Sequence, residues 1–193
     1  MSRLSEAKIL GGIGAILMLL GGFFLPGLGA ILGLILVFIA VKYISEETKD
    51  KTIFDNYLFH FIYIVIAIVA VVTIFFYSIG GFELTFFKMI ENAEISDFSS
   101  FLDFFGPYLI WWAVALIVGY IFIIISSWYY KKCYYSIAEH TDVQLFRTTG
   151  LIFFIGAITM IIGVGLIVIM VAKILEIIAF FRLPEKLPNK KSK

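Results

Sequence analysis

Lys173 and Glu176 stand three residues apart inside an apolar run that covers residues 151–181. On a helix that spacing lets an ammonium and a carboxylate pair side by side. Ionisable groups inside a membrane cost roughly 2.5–3.5 kcal/mol each on insertion scales, so those that persist are candidates for moving ions or protons. Counting back from Arg182 by helical rise places Lys173 about 14 Å and Glu176 about 9 Å inside the run. The same pair has a plainer use as a structural staple. A short carboxylate at that depth escapes its cost only by protonation or by finding a donor. Glu176 is therefore expected to face the bundle interior, within reach of Lys173 or His60.

His60 lies one or two turns inside the run 53–79, at an estimated depth similar to that of Glu176. An imidazole there can titrate near neutral pH, although a lone histidine near an interface commonly serves only as a hydrogen-bonding group. Asp55 and Asn56 read as the border or cap of the same helix. Glu139, His140 and Asp142 form the densest polar group, on a segment that also carries Cys133. A metal needs several converging ligands, and this spacing matches no metal motif; the residues read instead as one helix end and the next helix's cap. No metal or cofactor is expected. With no glycine-rich phosphate loop, nucleophile elbow or paired catalytic carboxylates, an enzyme has no positive support. Cys133 is the sole cysteine, which excludes an intrachain disulfide.

The elements that must position these residues are set by hydropathy. Of 193 residues 62% are hydrophobic and 15% charged, and mean hydropathy is +1.04, whereas soluble domains hold roughly 45–50% apolar residues. Apolar runs fall at 9–25, 28–41, 53–79, 108–128 and 151–181, and about 20 such residues cross a hydrocarbon core of about 30 Å. Pro26 and Gly27 divide the first stretch into two helices, since proline lacks an amide donor and glycine tolerates a tight turn. The run 151–181 would be about 46 Å long as one helix. A break at Gly163 and Gly165 is therefore predicted, leaving two helices of about 15–17 residues. Arg3 and Lys8 before an apolar run resemble the start of a signal peptide, but the run leads directly into another apolar segment and reads as a retained helix.

Charge placement sets sidedness, because cytoplasmic loops carry excess lysine and arginine. With six helices and an inner N-terminus, the inner side holds Arg3, Lys8, Lys42, Lys49, Lys51, Lys131, Lys132, Arg147, Arg182, Lys186, Lys190, Lys191 and Lys193, thirteen of the fifteen basic residues. A five-helix arrangement would strand the last five outside. A re-entrant final hairpin would satisfy the rule equally well. The predicted fold is an all-α polytopic transmembrane helix bundle of about six helices in three hairpins, both termini cytoplasmic, forming a single domain over 1–193. Its helices are expected at about 8–25, 28–44, 54–79, 107–130, 147–162 and 166–182, with an outer loop 80–106 and an inner loop 131–146.

The outer loop sets Glu83, Glu91, Glu94, Asp97 and Asp103 against Lys88 alone. An acidic mouth concentrates cations, although depletion of basic residues on an outer face follows from topology anyway. Phe98, Phe101, Leu102 and Phe105 follow helical spacing behind a capping Ser96, as in a short amphipathic helix at the interface or a lid over the bundle. Trp111 and Trp112 outside, and Trp128, Tyr129 and Tyr130 inside, fit two aromatic belts. Gly29-x-x-x-Gly33, with Gly11 and Ala15 on the preceding helix, offers small surfaces for tight packing within the bundle or between copies in a homo-oligomer. Net charge is +1, which gives no field for nucleic acid; the partner implied is the lipid bilayer. Lys186, Lys190, Lys191 and Lys193 form a tail that gains about 1 kcal/mol per residue near anionic lipid.

Residues 14–21, Gly-Ala-Ile-Leu-Met-Leu-Leu-Gly, line up with 156–163, Gly-Ala-Ile-Thr-Met-Ile-Ile-Gly, so the first and last hairpins look alike. The opening Ala7-Lys8-Ile9-Leu10-Gly11-Gly12-Ile13-Gly14, the exit Ile39-Ala40-Val41-Lys42-Tyr43-Ile44-Ser45 and the closing Ile178-Ala179-Phe180-Phe181-Arg182-Leu183-Pro184 carry a family signature. On these residues the chain resembles a mainly archaeal membrane family, domain of unknown function 996, over nearly its whole length. That resemblance implies a multi-pass membrane protein and carries no site residues; the location expected is the cell membrane. Two functions follow as expectations. One is a structural or partner-binding membrane module; the other is a small cation or solute transporter or channel that uses Lys173 and Glu176, with His60 as a third group.

Overall fold

The computed structural model describes residues 2–24, 28–92 and 98–188, with side chains over 2–21, 28–78, 106 and 108–188. Six α-helices follow in chain order: α1 Arg3–Phe24, α2 Leu28–Thr48, α3 Lys51–Asn92, α4 Phe98–Thr141, α5 Gln144–Thr159 and α6 Gly165–Phe181. No strand occurs among the described residues. Among the described residues five segments are long and apolar enough to cross a membrane: Arg3–Gly21, Leu28–Thr48, Lys51–Ser78, Tyr108–Thr141 and Gln144–Ile162. Helix α6, with 17 residues, is the short sixth.

The helix ends depart from the hydropathy boundaries. Helices α3 and α4 have 42 and 44 residues, about 63 and 66 Å by helical rise, and so run through most of the stretches 80–106 and 131–146 expected as loops. The physical reason is that hydropathy marks where side chains leave an apolar environment, whereas lysine, glutamate and alanine are good helix formers on either side of that boundary. What ends α4 is Asp142, whose φ of 59° lies in the left-handed region. The next helix starts after Val143 with no side-chain cap, so Asp142 closes α4 without capping α5. The start of α3 is likewise earlier than expected. Asp50 Oδ1 accepts from the Thr52 amide at 2.9 Å and from its hydroxyl at 2.7 Å, which is the N-cap arrangement; Asp55 and Asn56 stand inside the helix. The turn at Pro26 and Gly27, the cap Ser96 and the tail lysines Lys190, Lys191 and Lys193 lie outside the described residues, as do the side chains of the acidic stretch and of the Phe98 to Phe105 stripe.

The break in 151–181 is where glycine allows it. One 3-10 turn, Met160–Ile162, ends on Gly163 at φ +80°, whose amide donates to the Met160 carbonyl at 3.0 Å. A left-handed residue at a helix end is cheap for glycine and costly for a residue with a Cβ.

The chain forms two units. The first comprises Met1–Phe61 and Ile124–Lys193, the second Ile62–Ile123. In the second, the Trp112 indole donates to Ser78 Oγ at 2.9 Å, and a Cβ at Gly119 would meet Val71 Cγ2 at 2.6 Å. In the first, α1 and α2 are antiparallel and pack backbone to backbone: a Cβ at Gly14 would stand 2.7 Å from the Gly33 carbonyl oxygen, and one at Gly21 would stand 2.6 Å from the Gly29 carbonyl carbon. The Gly29 and Gly33 surface is thus engaged inside the chain. Gly156 and Gly165 bring α5 and α6 together in the same way, and Gly11 and Gly12 of α1 seat the rings of Phe180 and Phe181 of α6. Small residues at such surfaces let helix backbones approach closely.

One end of this first unit gathers four pieces of chain. Ser2 donates to the Glu185 carbonyl at 2.6 Å, Arg3 pairs with Glu46, and His140 Nδ1 lies 3.8 Å from Asp50 Oδ2. The start of α1, the α2–α3 turn, the α4–α5 turn and the stretch after α6 therefore share one face. Elsewhere large apolar side chains point outward, among them Leu32 at 57% and Ile167 at 66% exposure.

Candidate functional site

Glu176 is fully buried, with 0% exposure. Alanines at positions 172 and 179 bracket it on the same buried face of α6, so the helix turns one charge into a stripe of small residues. Both carboxylate oxygens are satisfied. Lys173 Nζ donates to Oε2 at 2.8 Å, and the Tyr134 hydroxyl donates to Oε1. The pair expected from the i, i+3 spacing is therefore present, and its carboxylate faces inward. Tyr134 comes from α4, so one carboxylate joins α6 to α4.

Aromatic rings surround the ammonium. Lys173 Nζ lies 5.1 Å from the Tyr130 ring centroid and 5.3 Å from that of Phe153, an arrangement in which ring quadrupoles offset part of the lost hydration. Tyr130 stacks on Tyr134 at 4.1 Å and leans on Phe153 at 4.3 Å. Tyr130 and Tyr134 are one helical turn apart and entirely buried. Tyr130 thus belongs to the core, not to the aromatic belt expected for it; Trp128, 45% exposed, is on the outward face of the same helix.

His60 is buried but is not a partner of Glu176. Its ring lies 4.9 Å from that of Tyr130, and its Nδ1 and backbone carbonyl are engaged by Ser126 of α4. The Ser126 hydroxyl donates to the His60 carbonyl at 3.0 Å, leaving Nδ1 with the Ser126 hydroxyl oxygen at 2.7 Å and carbonyl at 3.1 Å. A neutral imidazole protonated on Nδ1 satisfies this arrangement. Helices α3 and α6 are thus each tied to α4, by His60 with Ser126 and by Glu176 with Tyr134, while the His60 ring lies 6.0 Å from that of Phe153 of α5. Sequence reasoning missed both α4 residues. The signal available was Tyr130 and Tyr134 at i, i+4, a spacing that serves a core or a belt equally. Cys133 packs in the same core. Glu139, His140 and Asp142 do not converge; His140 hydrogen-bonds the Ser136 carbonyl at 2.9 Å.

One polar atom stands apart. The Tyr130 hydroxyl is buried beside Tyr134 and Glu176 but outside hydrogen-bond geometry with either. A buried donor left unmade costs about 1–3 kcal/mol. Tyr130→Phe keeps the stacking and removes that cost, so it is expected to raise stability by about 1 kcal/mol in thermal unfolding in detergent. A loss of stability would show that this hydroxyl has a partner it depends on.

The profile of a family described as a protein of unknown function, DUF996, matches residues 29–174. The chain is 37% identical over 187 residues to the uncharacterized protein MJ1644 of Methanocaldococcus jannaschii, covering 97% of each chain. No solved structure matches.

Proposed function

We propose, from the premise that the chain belongs to the DUF996 family of proteins of unknown function, that it is a structural or partner-binding module of the cell membrane, without enzymatic chemistry. The observation that carries this is the state of Glu176. Its carboxylate has 0% exposure and both oxygens occupied by Tyr134 and Lys173. A group that passes ions or protons must exchange partners with a path; this one holds two helices together. A buried carboxylate with a donor on each oxygen suits a fixed scaffold.

In this reading three hairpins cross the bilayer, both ends of the chain are cytoplasmic, and lipid is the first partner. Support comes from the shared face on which Ser2, Glu46, Asp50, His140 and Glu185 meet, since basic residues cluster near the same turns and cytoplasmic loops carry them in excess. Outward apolar side chains then meet lipid, with no water to avoid. The glycine surfaces of α1 and α2 contribute internal packing, so assembly with other proteins would use the cytoplasmic face.

One preparation tests both halves. In intact cells, a cysteine replacing Lys186 is expected to resist a membrane-impermeant thiol reagent and to react after permeabilisation; labelling from outside would reverse the topology. Reconstituted in vesicles, the variant Lys173→Leu, Glu176→Leu, Tyr134→Phe is expected to show the same ion and solute flux as the parent protein. A flux present in the parent and abolished in the variant would replace the scaffold with a transporter.

A further inference from the structure

At the end of α4 beside the shared face, a cleft of about 350 Å³ opens along Trp128, Lys131, Lys132 and Ser136, with Asn56 of α3 and Glu139 at its edges. Lys131 Nζ lies 5.2 Å and Lys132 Nζ 5.7 Å from the Trp128 ring centroid. Neither ammonium has an ion-pair partner among the described residues, and neither does Glu139. The lining therefore holds two positive charges against one negative. Arg147 adds another cation close by, its guanidinium 5.0 Å from the centroid of Tyr135, which also lines the cleft.

Apolar surface adjoins this charge. The Phe154 ring of α5 packs on Trp128 at 5.5 Å, and Leu151, Ile155 and Ile158, spaced i, i+4, i+7 on that helix, are 38%, 45% and 42% exposed. An exposed apolar stripe thus adjoins Lys131, whose ammonium lies 5.0 Å from the Phe154 ring centroid. Free phosphate would use only the charged part of this surface. A phospholipid uses all of it.

We propose that this cleft is a binding site for the headgroup of a monoanionic phospholipid. Lys131 and Lys132 take the phosphodiester oxygens as point charges. Ser136 and Asn56 supply neutral hydrogen-bonding groups for headgroup hydroxyls, and the acyl chain lies along Leu151 and Ile155. Glu139 lowers the charge of the lining to a net of one, enough to balance a single phosphodiester, and Arg147 nearby reinforces the preference for an anionic over a zwitterionic headgroup. Basic pockets on the cytoplasmic side of membrane helices recognise lipid headgroups in this manner. The inference rests on the membrane reading above and adds a ligand class to it.

The test uses the purified full chain in detergent with equal phosphatidylglycerol and phosphatidylcholine, read by native mass spectrometry. The parent protein is expected to retain phosphatidylglycerol in preference. Each lysine near such a headgroup is worth about fivefold in affinity, so K131Q/K132Q is expected to weaken retention about thirtyfold. The charge-conserving K131R/K132R, which meets the same folding demands, is expected to stay within about threefold. Equal retention of the two lipids, or an unchanged K131Q/K132Q, would overturn the site. Displacement of the lipid by millimolar inorganic phosphate would overturn the lipid assignment in favour of a free anion. Failure of the parent protein to enter vesicles of either lipid is a different result, and would overturn the membrane reading together with the site.

Discussion

Glu176→Leu is expected to lower stability by about 3–5 kcal/mol, the range for removing one partner of a buried ion pair. The substitution is close to volume-conserving and leaves α6 a good helix, so the cost comes from what remains. Lys173, whose side chain is only 16% exposed, keeps its charge between Tyr130 and Phe153 with no carboxylate. The Tyr134 hydroxyl is left buried without an acceptor, a further about 1–3 kcal/mol. Stepwise repair checks this account. Adding Lys173→Leu removes the stranded charge and is expected to recover most of the loss, because apolar replacement of a whole buried pair is often neutral. Adding Tyr134→Phe removes the stranded hydroxyl and recovers the remainder. Unfolding of the four proteins in mixed micelles gives the series; a Glu176→Leu protein as stable as the parent would falsify the view that this carboxylate joins α4 to α6.

The second large effect is steric. Gly33→Leu is expected to cost about 3 kcal/mol or more and Gly33→Ala about 1–3 kcal/mol, the scale of overpacking where neighbours cannot yield. A Cβ at Gly33 would stand 2.6 Å from the Gly14 carbonyl oxygen and 2.6 Å from the Met18 amide nitrogen. Both are backbone atoms of α1, so relief requires moving a helix, not turning a side chain. The matched control is Gly119→Ala in α4, where an added Cβ meets one methyl of Val71 at 2.6 Å and no backbone atom. That change is expected to cost about 1 kcal/mol or less, because a methyl can turn aside and alanine favours the helix by about 0.5–1 kcal/mol. Equal effects at the two glycines in the same unfolding assay would mean that α1 and α2 do not touch at Gly33.

These two sites were unequally legible. The Lys173 and Glu176 pair is local, three residues on one helix, so its geometry follows from helical spacing before any tertiary contact exists. The glycine surface was legible as a surface, but Gly29 and Gly33 serve packing within a chain or between chains with the same residues. The position of α1 against them decides. The break at Gly163 was legible for a different reason: an unbroken run of 151–181 is too long for one crossing, and glycine is the residue that tolerates the left-handed turn observed there. Helix ends were poorly legible. Lys131, Lys132, Ser136 and Glu139 are polar, and polarity predicts a loop, whereas the backbone continues helical to Thr141.

Sequence by itself determined the class of the molecule and the local terms of its chemistry. Its apolar runs make helices long enough to cross a membrane, its basic residues cluster near particular turns, and its one deep carboxylate carries a lysine at pairing distance. Tertiary structure alone decided the rest of the site. Tyr130 and Tyr134 differ from Tyr129 and Tyr135 only in the direction they face on α4, and a tyrosine suits an interface and a core alike. Which face of α4 turns inward depends on how the flanking helices pack, a property of many weak contacts summed over distant parts of the chain. That sum selected Tyr134 over His60 as the second partner of Glu176, gave His60 to Ser126, and left Lys131 and Lys132 free beside Trp128.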